Sequence, residues 1–402
     1  MSDVSFTPER PTGRPALLRG LNSLNALSLI LQEGPSTASQ VASATGLSRT
    51  AVESVLTGLV NSDWLVKGAP GTTTLPGRPA AVYDLGRAVG HVGAIEFDST
   101  RIAAAVADCR SQVVRSAQRI APETLSAADR LRAGTALLRQ VMSHAGVALA
   151  EILCVAAASP GAIADGRVLH YGGHGLPGWI GCDLAGALTD DLGLPVVVEG
   201  DCALGALAER RDGRGLTCDN FVYIYSGRRT GASIVSDGQV RRGSHGGVGL
   251  IGELDELRWK EVEATAYDEA TGAGTPPADQ ANTNGQAETE AAGEVADFAA
   301  IIGLGISAMV LAVDPEMVLV GGPYRDFIER HIAGIRAEVG RRCPLPAVVE
   351  LGAFGSEAVL LGAVRLATDT VMDTLRRVVA SDGVLPPPGG LAPFLSGNNI
   401  AG

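Results

Sequence analysis

Between residues 37 and 66 the apolar positions fall in a spacing that two short helices and a tight turn explain. In the second segment Val52, Val55, Leu56, Leu59 and Val60 lie at offsets 0, 3, 4, 7 and 8, one buried face of a helix. Ser48 stands where an N-cap is needed. Thr37 with Gln40 predicts a capping box for the first helix, and Gly46 supplies the positive φ that ends it. The face opposite the apolar one carries Thr50, Ser54, Thr57 and Asn61, with Ser48, Arg49 and Glu53 near its start. Small polar side chains and an arginine on an exposed helix suit a DNA major groove. Ser48, Arg49, Thr50, Glu53, Ser54 and Thr57 are therefore the candidate DNA-facing residues. Upstream, Leu24, Leu27, Ile30 and Leu31 predict a helix over about 22–31, closed by Gly34-Pro35, and residues 1–20 read as a flexible arm. Downstream, residues 64–66 and 81–85 read as two strands around a loop rich in Gly, Pro and Thr. They make a wing, with Arg78 near its end as a candidate minor-groove contact, so residues 21–85 form a winged helix-turn-helix.

From Gly90 the period changes to that of strands. Residues 91–97, 102–107 and 112–117 read as a three-strand meander, followed by a helix over 127–144 and a buried strand over 152–158. A second meander appears at 221–225, 232–235 and 239–241. Two meanders, each followed by helices and further strands, predict an internal duplication, an α/β body of two lobes with a cleft between them. Lobe one is placed at 86–202 and completed by 366–380, and lobe two at 203–365. Residues 262–295, poor in large apolar side chains, read as a mobile surface insert, and the Pro/Gly-rich tail over 381–402 as frayed.

Charge narrows which part meets nucleic acid. The chain of 402 residues has a net charge of −12, yet residues 1–80 carry a balance of +1 and the rest −13. An acidic body repels phosphate, so only the N-terminal unit is expected to face DNA, and useful affinity then needs two such units in a dimer. No run of 18 apolar residues and no signal-peptide pattern are present, which predicts a cytoplasmic protein that does not enter membranes. The six cysteines include no C-x-x-C pair and read as reduced thiols. His170 and His174 have the spacing of a helical metal pair, but Gly172 and Gly173 between them argue for a loop near the cleft mouth, with His174 as a candidate ligand contact.

The chain resembles the ROK family (repressor, open reading frame, kinase), in its repressor branch. The resemblance runs over roughly residues 20–375. It is carried by Thr45-Gly-Leu-Ser48, Gly77-Arg78-Pro79, Ser159-Pro160-Gly161, Leu176-Pro-Gly-Trp179, the run from Pro195 to Asp201, Asp237-Gly238 with Arg242-Gly243, and Asp314 to Gly322. It implies an actin-like, ribonuclease H-type body behind the winged helix.

The departures from that resemblance are as informative. Kinases of the family open with Asp-x-Gly-Gly-Thr, where this chain has Glu96-Phe-Asp-Ser-Thr100. Without the glycines, backbone N–H groups cannot crowd a phosphate. A second glycine-rich loop corresponds to Gly227-Arg-Arg-Thr-Gly231, whose Arg228 and Arg229 read as solvated hairpin arginines. The sugar-binding Glu-Asn-Asp becomes Glu199-Gly200-Asp201, with Asp201 at the position of the kinase general base, and Gly-Glu-Ile-Gly-His becomes Gly249-Leu250-Ile-Gly-Glu253. Leu250 replaces a hydroxyl-binding glutamate, and Glu253 replaces a histidine that also binds structural zinc. The cysteines that should follow are missing, so no zinc and no other cofactor is expected.

The resulting expectation is a DNA-binding transcriptional regulator, a repressor of carbohydrate-related genes and not an enzyme. It would bind a palindromic operator in double-stranded DNA as a homodimer or a dimer of dimers. Asp201, Glu253, His174, Gly200 and Leu250 would line an effector site. Two facing carboxylates favour a neutral sugar or polyol, unless Arg228 or Arg229 turns inward. Two alternatives stay open: a ligand-independent DNA binder whose body only dimerises, and an active sugar kinase with an appended DNA-binding unit.

Overall fold

The structure, a computed structural model, describes residues 15–68, 80–173, 175–263, 266 and 286–395. Arg78 and His174 lie outside the described residues. The N-terminal unit contains α1 (Pro15–Glu33), α2 (Ala38–Thr45) and α3 (Arg49–Asn61) against a small sheet. Its strands β1 (Ser36–Thr37), β2 (Leu65–Lys67) and β3 (Val82–Leu85) run in the order β1-β3-β2, all antiparallel. The local signals hold as expected. Thr37 and Gln40 close a capping box, Gly46 ends α2 at φ 70°, and the Ser48 hydroxyl accepts from the Ala51 N–H. Val52, Leu56 and Leu59 are buried with Leu24, Leu27 and Ile30.

Helix α1 starts at Pro15, not near residue 22, so the supposed arm over 1–20 is helical from Pro15 onward. Proline suits the first helical position, where its missing N–H is not needed. Gly20 is buried in this stretch because a Cβ there would stand 2.6 Å from the Gly383 carbonyl oxygen.

The body holds two five-stranded sheets of one design. The first has the order β10-β7-β4-β5-β6, from β4 (His91–Phe97), β5 (Arg101–Asp108), β6 (Val113–Ile120), β7 (Ile152–Ser159) and β10 (Val196–Gly200). The second has β13-β12-β11-β14-β15, from β11 (Phe221–Ser226), β12 (Thr230–Ser236), β13 (Gln239–Val240), β14 (Met317–Gly321) and β15 (Val348–Leu351). In each, an antiparallel meander is extended by two parallel strands from its first member. The predicted duplication is thus present in the hydrogen bonding itself. A small hairpin of β8 (Ala162–Ala164) and β9 (Arg167–His170) stands at the mouth of lobe one.

Helices cover the sheets: α4 (Ala127–Ala145) and α5 (Leu184–Leu192) in lobe one, α7 (Gln286–Val313) and α8 (Arg325–Arg342) in lobe two. Helix α6 (Asp201–Asp212) and the long α9 (Ala358–Asp382) pack together between the lobes. The supposed insert over 262–295 is shorter than expected at both ends. Trp259, Val262 and Ala266 are buried in the lobe-two core, and α7 already begins at Gln286; residues 264–265 and 267–285 lie outside the described residues. The offsets 0, 3 and 7 of those three core residues are a helical stripe that average composition hides.

The tail is not frayed over its described length. Leu391 and Leu395 are buried, and the Trp64 indole N–H donates to the Pro386 carbonyl at 2.7 Å. Arg110 of lobe one ties the body to the N-terminal unit, donating to the Ile30 carbonyl at 3.2 Å and pairing with Asp84 at 2.6 Å. Apolar burial beneath a segment with few periodic residues, not its own propensity, orders the tail. Trp64→Phe leaves the Pro386 carbonyl without its donor and is expected to lower stability by about 1–2 kcal/mol. Urea unfolding checks this, and an unchanged midpoint would contradict the docking.

Candidate functional site

The site builds outward from the ends of parallel strands. Strand β10 ends at Gly200, and α6 starts at once with Asp201, so strand and helix together aim this carboxylate into the interlobe cleft. From lobe two the β11–β12 turn brings Arg229, and the segment after β13 brings Arg242, Leu250 and Glu253. The resulting cleft is open and is also lined by His170, Tyr171 and Glu199. Asp201, Glu253 and Leu250 therefore meet in one cleft. Gly200 lies between two lining residues with its backbone against the Gly161 carbonyl, where a Cβ would approach to 3.1 Å.

The charges in the cleft are matched pair by pair. Arg242 donates from Nε to Glu199 across the lobes. Arg229 donates to Glu253 at 2.8 Å and stands 3.4 Å from Glu263. His170 Nε2 and Lys260 approach Glu253 at 3.4 and 3.3 Å. Burial alone would raise the Glu253 carboxyl, but Arg229, His170 and Lys260 outweigh it and hold it below its ordinary value. The reading of Arg229 as a solvated hairpin arginine is thus corrected. It turns inward, because two carboxylates, one of them the nearly buried Glu263, compensate its desolvation. Arg228 likewise pairs with Glu123 of lobe one at 2.8 Å.

Asp201 differs from these carboxylates. Burial pushes it up to about 7 against the N–H of Cys202, which donates to it at 2.7 Å, and Asp98 pushes in the same direction. Near neutrality it is part protonated, both donor and acceptor, which suits a hydroxyl-bearing ligand.

The turn at residues 98–100 is satisfied from within. The Asp98 carboxylate accepts the Ser99 N–H at 2.6 Å, while the fully buried Arg130 donates to the Asp98, Ser99 and Pro122 carbonyls. Glu96 is buried beneath and bound by Arg101 at 2.5 Å; burial still pushes its carboxyl up to about 7. Glu96 is therefore a structural partner of Arg101. Sequence reasoning passed over Glu199, Tyr171 and Lys260; the first lies in a quoted motif, but its partner is 43 residues away. Among the described residues no three His, Cys, Asp or Glu side chains converge as a metal site requires.

A second polar surface lies on the N-terminal unit. Ser48, Arg49, Thr50, Glu53, Ser54 and Thr57 are all exposed on α3, and Arg49 pairs with Glu53 at 3.1 Å.

The class is thus a three-helix unit with a small antiparallel sheet on a two-lobed body of duplicated sheets. Residues 92–256 match the model of the ROK family. An uncharacterized protein of Clostridium perfringens is 26% identical over 183 residues, which cover 42% of this chain and 61% of that protein. A glucokinase of Halalkalibacterium halodurans is 34% identical over 77 residues, 19% of this chain and 23% of that one. The matches thus span less than two thirds of either relative. Among solved structures, a ROK family transcriptional regulator homologous to the E. coli MLC protein has a TM-score of 0.64 at 18% identity. It covers 95% of this chain and 100% of its own. A ROK family glucokinase from Streptomyces griseus, in complex with glucose and AMPPNP, has a TM-score of 0.56 at 23% identity and covers 70% of this chain and 100% of its own. These likenesses establish the fold, the actin-like body included. Among the described residues no helix is long and apolar enough to cross a membrane.

The raised Asp201 carboxyl gives a pH signature. Its folded value of about 7 lies above the ordinary 3.8, so its protonated form stabilises the fold below about pH 4, and that stability is lost as pH rises through 7. Asp201→Asn is expected to gain stability relative to the parent at pH 8 and much less at pH 4. Denaturant midpoints at the two pH values measure this, and equal gains at both would contradict the assignment.

Proposed function

We propose that this chain is a DNA-binding transcriptional regulator, a repressor of carbohydrate-related genes, whose body is kinase-silent. The observation that carries the reading is α3, a capped helix with one face buried and an unbroken polar face in solvent. In this reading Arg49, Thr50, Ser54 and Thr57 read base edges, while Ser48, Glu53 and the wing residue Arg78 contribute to docking on the duplex. Two chains associate, and their winged helices bind a palindromic operator. The share of the chain aligned with the regulator structure, which includes the N-terminal unit, supports this over a kinase reading.

The body senses rather than phosphorylates. The turn at 98–100 spends its Ser99 N–H on the Asp98 side chain, so that donor is not free for a phosphate. Asp201 with Glu253, Leu250, Gly200 and His174 forms the effector site in this reading. Although Arg229 faces inward, Glu253 and Glu263 neutralise it, so a neutral sugar or polyol remains the favoured effector class.

Arg49→Ala is expected to weaken specific DNA binding by about 1–3 kcal/mol if the arginine reads a guanine. Selection of bound sequences from a random duplex pool, then titration of the selected site, measures it. Unchanged affinity for both Arg49→Ala and Thr50→Ala would overturn the placement. Incubation with ATP and a panel of sugars is expected to give hydrolysis at background. Turnover above background that Asp201→Asn abolishes would establish the kinase instead.

A further inference from the structure

Contacts between the lobes extend beyond the side chains that line the open pocket. His170, Glu199, Arg229, Arg242 and Glu253 line the open part, whereas Arg101, Glu123, Arg228 and Ser356 do not. Those four residues nonetheless join lobe to lobe. Arg228 sits in the turn between β11 and β12 of lobe two, and its Nη2 lies 2.8 Å from Oε1 of Glu123, in the lobe-one loop before α4. Arg101 on β5 of lobe one donates from Nη2 to the carbonyl of Ser356 at 2.8 Å, in the connection between β15 and α9. The same guanidinium binds the buried Glu96 at 2.5 Å and the Gln118 side chain at 3.1 Å, so it is fixed from three sides.

We propose that Arg228–Glu123 and Arg101–Ser356 form an interlobe latch that fixes the spacing of the two lobes. The geometry of the anchors supports this role. Glu123 is held at its own backbone, whose carbonyl accepts the Leu176 N–H at 3.1 Å. The Arg228 side chain is one third exposed, as is that of Glu123, so the pair is partly shielded from water and salt. An arginine anchored on a carboxylate can present a second N–H to a carbonyl without losing the first, as Arg101 does. None of the four residues lines the pocket, and their contacts set the lobe spacing that an effector there would meet. The inference therefore stands whether or not the chain is a regulator.

Amide hydrogen exchange on the full chain tests it. Arg228→Glu and Glu123→Arg separately place like charges across the gap, and the double exchange restores an opposite pair. Loss of one part-exposed pair is expected to speed exchange about fivefold in peptides covering 122–126, 226–230 and 352–357. The double variant should return those rates to the parent's, with peptides in α3 unaffected throughout. Arg228→Ala, which adds no repulsion, should show the same pattern more weakly. Unchanged rates in the single variants, or fast rates that persist in the double variant, would overturn the latch.

Discussion

One helix carries the mechanical load of this molecule. Helix α9 packs on β4, β5 and β7 of lobe one, lies along α6 at the lobe junction, and meets α1 of the N-terminal unit at its far end. Its approach to α6 needs Gly362, where a Cβ would stand 2.0 Å from the Leu204 carbonyl oxygen. At its C-terminal end Gly383, at φ 72°, lets the chain turn under α1 and run on to the Trp64 contact. The buried face of α9 includes Val359, Val364, Leu366, Val371, Leu375 and Val379, so apolar burial over its whole length holds these parts together. A shift in the lobes has to be accommodated by this helix or by what it touches.

The cleft shows a second constraint, which is the handling of charge in a part-buried space. Arg229, Arg242 and Arg228 each stand against a carboxylate, and Arg229 stands against two. An arginine that enters such a space without a partner would be strongly destabilising, so the inward turn of Arg229 and the position of Glu253 are one structural fact. Among the described residues no cation pairs with Asp201. It meets the same constraint by a raised proton affinity, which leaves it the chemically adaptable group in the cleft.

The candidate site was legible in the sequence in proportion to how local its causes are. The polar face of α3 was readable because capping and helical periodicity act over a few residues, and Thr37, Gln40, Gly46 and Ser48 do locally what their types predict. Asp201, Glu253 and Leu250 were readable only through resemblance, since 52 residues separate the two carboxylates and no periodicity relates them. Arg229 was misread because a hairpin arginine is solvated unless something distant attracts it, and Glu263 lies in a stretch whose composition suggested no structure.

The sequence by itself determined the elements: the N-terminal helices with their caps, the two meanders and the internal duplication. Each follows from backbone preferences and apolar spacing that neighbours in the chain decide. Only the tertiary structure decided which charges pair across the cleft, that the tail docks under Trp64, and that α1 begins at Pro15 against Gly383. Those outcomes depend on contacts between segments up to 322 residues apart, where burial and charge compensation outweigh what any local window prefers.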